Sequence, residues 1–355
     1  ISPHFCRSKK VILAKHCHNV LTEKFGMEFS SGQRLAVESF VSFFFNREPE
    51  GLFLFTRYAG TVQTSLVAAR VRTLQHFQYS FILLAPTGRA AKVFSAYSGQ
   101  AAFTIHKKIY RQKKEQEGIG FFELGFNTTH NTLFFVDEAS MIGSGGQDSH
   151  FGSGSLLDDL MRFVYNNRGN RLVMIGDTAQ LPPVGSDISP ALDPDFLKRN
   201  YLVELSCATL TEIMRQAENS GIVFNATCIR NMLGSKYARL QLLTSPFGDV
   251  HRINGGDLLD SLEYCYATYG MDETMFICRS NRQANRYNAG IRSRILYREE
   301  ELTGGDRIMV VKNNYYWGEA YDKIDGSANG DSATVVKIEK FREIYGFRFV
   351  RARLQ

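Results

Sequence analysis

Four short apolar runs constrain this chain more than any other feature. They are Gly51–Phe55 (GLFLF), Phe81–Ala85 (FILLA), Thr132–Asp137 (TLFFVD) and Arg171–Asp177 (RLVMIGD). Each is nearly continuous instead of alternating, as in strands covered on both faces of a parallel sheet. Helix-like segments such as TGRAAKVFSAYSG and GSLLDDLMRFVYNN separate them. Strand and helix in alternation predict a doubly wound α/β domain. In such sheets, ligands sit beyond the carboxyl ends of the strands. Polar signals should then follow each run directly, and they do.

The first run leads into LFTRYAGTVQTSL (Leu54–Leu66), with a helical stretch beyond it. Strand, tight loop and helix form the context of a phosphate-binding loop. The pattern G-x-x-x-x-G-K-[ST] asks for glycine at Arg57, glycine at Val62 and lysine at Gln63, so only Thr64 fits. Gln63 donates a neutral hydrogen bond, roughly half as strong as a charge-assisted one. Val62 is β-branched and poorly suited to a positive φ. Arg57 supplies a charge, but from a different place.

The second run continues as APTGRAAK (Ala85–Lys92). Thr87 and Gly88 open a helix whose first N–H groups can meet phosphate. Arg89 and Lys92 share a helical face. The third run ends in FFVDEAS, where Asp137 can hold Mg²⁺ through water and Glu138 can polarise an attacking water. After the fourth, GDTAQLPPVGSD sets Gln180 where it can sense a γ-phosphate, with Pro182 and Pro183 stiffening the loop.

The spacing predicts an N-terminal helical segment over 1–29 and a first domain over 30–200. YLVELS (Tyr201–Ser206) starts a second α/β unit over 201–299, which reaches another strand at TMFICRSN (Thr274–Asn281). A small β-rich module follows over 300–355. The net charge of +6 and a pI near 8.9 permit a polyanionic partner. Six scattered cysteines without C-x-x-C spacing suit a reduced, cytoplasmic setting. No apolar run approaches the length of a membrane span. His4, Cys6, His16, Cys17 and His18 match no zinc module.

Read in order, SSGQRLAVESF, YAGTVQT, APTGRAAK, TIHKKIY, VDEASM, GDTAQLPPVG, LTEIMRQ and FICRSNRQANRYNAGIR resemble the RecD/Pif-type branch of superfamily 1 DNA helicases. The later GDRIMVVKNNYYW and ANGDSATVVKI resemble its small SH3-like insertion. The resemblance implies P-loop NTPase chemistry on two RecA-like domains, with ATP and Mg²⁺ between them and single-stranded DNA across the top. Translocation runs 5′ to 3′ in this branch, in the service of DNA repair and recombination. Such chains work alone or within a larger nuclease or replication complex.

By matching positions, Gln33 reads the base, and Tyr58, Ala59, Gly60, Thr61, Val62, Gln63, Thr64 and Ser65 cradle the nucleotide. Thr64 and Asp137 hold Mg²⁺, Glu138 serves water, Gln180 couples nucleotide to DNA, and Arg215 acts as an arginine finger. Thr87, Gly88, Arg89, Lys92, His106, Ser280 and Arg282 face DNA. For His106, a packed core histidine is an equal reading. Arg279, Arg282 and Arg286 share a helical face that could line a backbone groove. Tyr315, Tyr316 and Trp317 suit base stacking or a β core. The family's later DNA-touching and serine-arginine motifs do not occur before Gln355. Together with the altered loop, this implies an ATP-dependent helicase with weak or absent hydrolysis. The alternative is a non-hydrolysing module that binds single-stranded DNA or a partner.

Overall fold

The computed structural model describes residues 3–46, 50–58, 63–112, 122–145, 151–183, 185–212, 219–233, 235, 239–311 and 330–355, with 3–11, 63, 64 and 112 described by backbone alone. The chain forms two compact units. One is formed by the chain through Gln241, the other by Leu242–Val310 with Asp331–Gln355.

The first unit opens with α1 (Pro3–Phe25) and α2 (Ser31–Phe45). A capping box starts α2. Ser30 Oγ accepts from Gln33 N at 3.3 Å, and Gln33 Oε1 accepts from Ser30 N at 3.0 Å. Val37, Phe40, Val41 and Phe44 recur at helical spacing and bury one face. Next come β1 (Gly51–Arg57), α3 (Gln63–His76), β2 (Phe81–Ala85), α4 (Gly88–Ser98), β3 (Ala102–Thr104) and α5 (Ile105–Ile109). A hairpin of β4 (Tyr110–Gln112) and β5 (Phe122–Leu124) precedes β6 (Leu133–Val136), α6 (Leu156–Tyr165) and β7 (Arg171–Gly176). The unit continues through α7 (Pro194–Asn200), β8 (Glu204–Leu210) and α8 (Gly221–Met232).

Six strands make one sheet in the order β3-β2-β6-β7-β1-β8, and every pairing is parallel. The four apolar runs supply four of these strands. Their residues divide between two cores by the two-residue period of a strand. Phe53 and Phe55 face one core with Phe40 of α2 and Leu66 of α3, while Leu52 and Leu54 face the other with Leu160 of α6. Helices therefore cover both faces, which is why the strands read as continuous apolar runs.

β8 pairs with β1 along its length, from Gly51↔Glu204 to Arg57↔Leu210. Residues 204–210, expected to open a second α/β unit, thus extend the first sheet at its edge.

One residue breaks the apolar rule. Arg70 of α3 is fully buried in the first core. Its guanidinium lies 4.1 Å from the Phe55 ring centroid, 4.9 Å from Phe40 and 5.8 Å from Phe53. Nη2 donates to Ala36 O at 3.2 Å, while Nε and Nη1 have no hydrogen-bond partner among the described residues. Burial pushes its pKa down to about 9.

The second unit holds α9 (Leu258–Tyr269), α10 (Asn281–Arg294) and an antiparallel sheet of β9 (Arg307–Met309), β10 (Ser332–Ile344) and β11 (Phe347–Leu354), in the order β11-β10-β9. Asp306 organises the join between α10 and β9. It accepts from Arg292 at 2.9 Å, Arg298 at 2.6 Å and Thr303 N at 2.8 Å. Burial opposes its ionisation, yet these donors hold the carboxyl at about 2. Arg292 and Arg298 are thereby committed to a carboxylate.

Thr274–Cys278 forms no strand, contrary to its apolar pattern; Met275 and Ile277 are exposed. A buried parallel strand needs neighbours on both sides. The described residues of this unit offer only the antiparallel ribbon.

Candidate functional site

The carboxyl ends of β1, β6 and β7 lie side by side because these strands are neighbours in the sheet. Each delivers a polar group. Asp137 follows β6, is buried, and donates its backbone N–H to Leu84 O at 3.0 Å. Its Oδ1 accepts from Glu138 N at 2.9 Å, and its Oδ2 accepts from Tyr97 Oη at 2.5 Å. Glu138 adopts a left-handed conformation at φ 52°, which turns the chain sharply at the strand end. A non-glycine residue held there is a local strain, of the kind that concentrates at functional sites.

Arg57, the last residue of β1, points at this acidic pair. Its Nη2 lies 2.9 Å from Glu138 Oε1 and 4.0 Å from Asp137 Oδ1. Burial pushes the Glu138 carboxyl up, Arg57 pulls it down, and the Asp137 charge pushes it up again; the net direction is upward. Burial, with the Asp137 charge and hydrogen bond, also raises the Tyr97 hydroxyl, so Tyr97 remains a neutral donor.

The loop after β7 completes the centre. Gln180 Oε1 lies 3.3 Å from Ser140 Oγ, joining this loop to the turn after Glu138. Asp177 accepts from Ala179 N at 2.9 Å through one oxygen and from Arg230 of α8 through the other. The Arg230 guanidinium also lies 4.1 Å from the centroid of the Tyr58 ring. Tyr58, Asp177 and Arg230 thus form a sequence-distant stack just beyond β1 and β7.

A family model described as an AAA domain matches residues 28–231. The chain belongs to the AAA domain family. The ATP-dependent RecD2 DNA helicase of Deinococcus radiodurans is 27% identical over 181 residues, covering 48% of this chain and 21% of that relative. The match therefore spans about a fifth of the relative's length. The crystal structure of Pif1 helicase from Candida albicans aligns over 88% of this chain and 70% of its own, at 14% identity and a TM-score of 0.41.

The six-stranded sheet of this AAA domain is a P-loop, RecA-like arrangement, as the resemblance implies. Asp137, Glu138 and Gln180 gather at its strand ends. Ala59, Gly60, Thr61, Val62 and Arg215 lie outside the described residues, and Gln63 and Thr64 are known only as the start of α3, with half-buried Ser65 following. Gln33 is buried, and its side-chain oxygen is engaged by the capping box. Thr87 caps α4 by accepting from Ala90 N at 3.2 Å; Gly88 is buried behind it, and Arg89 and Lys92 are exposed. His106 packs against Phe151 and Tyr110 with ring centroids 5.2 and 5.6 Å away. Ser280 caps α10, on which Arg282 is exposed, both in the second unit. Tyr315, Tyr316 and Trp317 are outside the described residues.

Four residues of the AAA domain were not singled out by sequence as site components. Tyr97 lies at an ordinary helical position, and Arg230 lies far from its partner in sequence, so neither carries a local signal. Asp177 stood in a quoted motif without a role. Glu212 accepts from Ser31 Oγ at 2.6 Å and Gly32 N at 2.9 Å at the amino end of α2. Hydrogen bonds from Ser30, Ser31 and Gly32 hold its carboxyl below the usual range.

A divalent cation at Asp137 and Glu138 would need carboxylate oxygens directed towards it. Here Arg57 meets the charge of Glu138 and lies beside Asp137, and Tyr97 holds the other Asp137 oxygen. As arranged, the acidic pair does not fit Mg²⁺.

Proposed function

We propose that this chain is the nucleotide-binding part of an ATP-dependent DNA helicase of the RecD-like branch, with weak or absent hydrolysis of its own. The observation that carries this reading is the convergence of Asp137, Glu138 and Gln180 at adjacent strand ends of a parallel sheet. In this role the nucleotide lies beyond β1, its phosphates over the amino end of α3. Glu138 is the base that orients the attacking water, and its raised pKa brings it nearer the range useful for proton transfer. The Arg57 contact opposes that role, because it draws the same carboxylate into an ion pair. Gln180, joined to Ser140, reports the state of the phosphates to the DNA side. DNA crosses the ends of the strands near Thr87, Arg89 and Lys92. Movement is 5′ to 3′, and any further subunits belong to a nuclease or repair assembly.

The decisive measurement is DNA-stimulated release of phosphate from ATP by the full chain. The expected rate is close to background; ordinary turnover refutes the reading of the altered loop. A second reading, a DNA-binding module without hydrolysis, is favoured by the Arg57–Glu138 pair. It predicts single-stranded DNA binding that persists without ATP. By fluorescence anisotropy, log K should fall linearly with log salt at about 0.7 per neutralised phosphate. Binding that ignores salt removes the proposed backbone groove.

A further inference from the structure

We propose that the Arg57 guanidinium takes the place of a divalent cation at the acidic pair Asp137–Glu138, so that this site engages nucleotide without a bound metal ion. The inference rests on the nucleotide-site reading above and adds to it a statement about which cation the site uses.

Three observations lead there. First, the positive charge faces both carboxylates, with the nearer contact at 2.9 Å and the farther at 4.0 Å. Second, the remaining Asp137 oxygen accepts from the Tyr97 hydroxyl at 2.5 Å, and Oδ1 accepts from Glu138 N at 2.9 Å, so both oxygens of the carboxylate are already engaged. Third, β7 lies between β1 and β6 in the sheet, so the Arg57 side chain reaches across a strand position to meet Glu138. Two interstrand spacings amount to roughly 10 Å between β1 and β6. Among cationic side chains, arginine combines such length with a planar fork matched to carboxylates.

Two adjacent carboxylates repel each other and call for a cation. A guanidinium supplied by the chain satisfies that call permanently, at no concentration dependence. A hydrated metal ion would have to displace a partly buried, hydrogen-bonded ion pair to enter. In a low-dielectric setting, an arginine left unpaired by that exchange is costly. The arrangement therefore excludes the metal by competition for the same oxygens.

Mn²⁺ serves as the probe, titrated into the full chain with and without ADP and read by electron paramagnetic resonance. The wild-type chain is expected to show no bound Mn²⁺ into the millimolar range. Arg57→Gly, and Arg57→Gln as a milder change should glycine unfold the strand end, are expected to gain one site per chain. Their apparent affinity should rise about tenfold or more, equivalent to ~1.4 kcal/mol per factor of ten. Asp137→Asn in the Arg57→Gln background should remove the gained site. Tight Mn²⁺ binding by the wild-type chain, lost on Asp137→Asn, overturns the proposal. So does an Arg57→Gln chain that is folded by circular dichroism and binds no more Mn²⁺ than wild type. The nucleotide-site reading fails by a different result: no nucleotide or DNA bound by any of these chains.

Discussion

Changing Val62→Gly and Gln63→Lys together raises nucleotide affinity ~10- to 100-fold. The expectation follows from the chemistry of a phosphate cradle at the amino end of a helix. Gln63 is the first residue of α3, where the helix dipole already favours an anion. What the loop lacks is a positive charge aimed at the outer phosphates and a backbone free to approach them. Hydrogen bonds to charged groups contribute ~1.5–3 kcal/mol, against ~0.5–1.5 for neutral ones. Glycine at position 62 adds conformational freedom that a β-branched residue denies. A fluorescent ATP analogue titrated against both chains measures the difference. Equal affinities would mean that the stretch between β1 and α3 is not a phosphate cradle. Adding Arg57→Gly to the pair should then release Glu138 and allow turnover to appear.

Arg70→Met should stabilise the protein by ~1–4 kcal/mol, the range seen when buried charges give way to well-packed apolar groups. Arg70 is fully buried, and two of its nitrogens lack hydrogen-bond partners among the described residues. Stacking over Phe40, Phe53 and Phe55 offsets part of the desolvation cost, but no carboxylate approaches it among the described residues. Methionine fills similar volume and stays in contact with the rings. The gain should depend on pH in a defined direction. A base whose folded pKa is lowered binds its proton less readily when folded than when unfolded. The full cost of Arg70 is therefore present below about pH 9, and it declines as pH rises above that value towards the ordinary arginine range. Urea unfolding at neutral and alkaline pH reads this as a shift in midpoint at constant slope. A lower midpoint for Arg70→Met would show that ring stacking outweighs burial.

The two predictions rest on features of unequal visibility in the sequence. The four buried strands were legible because a parallel sheet covered on both faces needs continuous apolar residues. Asp137, Glu138 and Gln180 were legible because they follow such runs directly. The partnership of Arg57 with Glu138 was not, since the two are 81 residues apart and meet only through the strand order. Tyr97 was hidden for the same reason. β8 carries a mixed burial pattern suited to a sheet edge, so nothing local in YLVELS said which sheet it would join. Thr274–Cys278 erred in the opposite sense: its apolar pattern suits a strand, but pattern alone cannot supply the neighbours a strand requires.

Arg230 leaves α8 by two anchors at once, a carboxylate after β7 and an aromatic ring after β1. Asp177 is almost completely shielded from solvent. Pulling α8 away would strand that charge, at a penalty of ~3–5 kcal/mol. The helix and the two loops therefore swing together or stay put together, like a latch whose bolt passes through both leaves of a door.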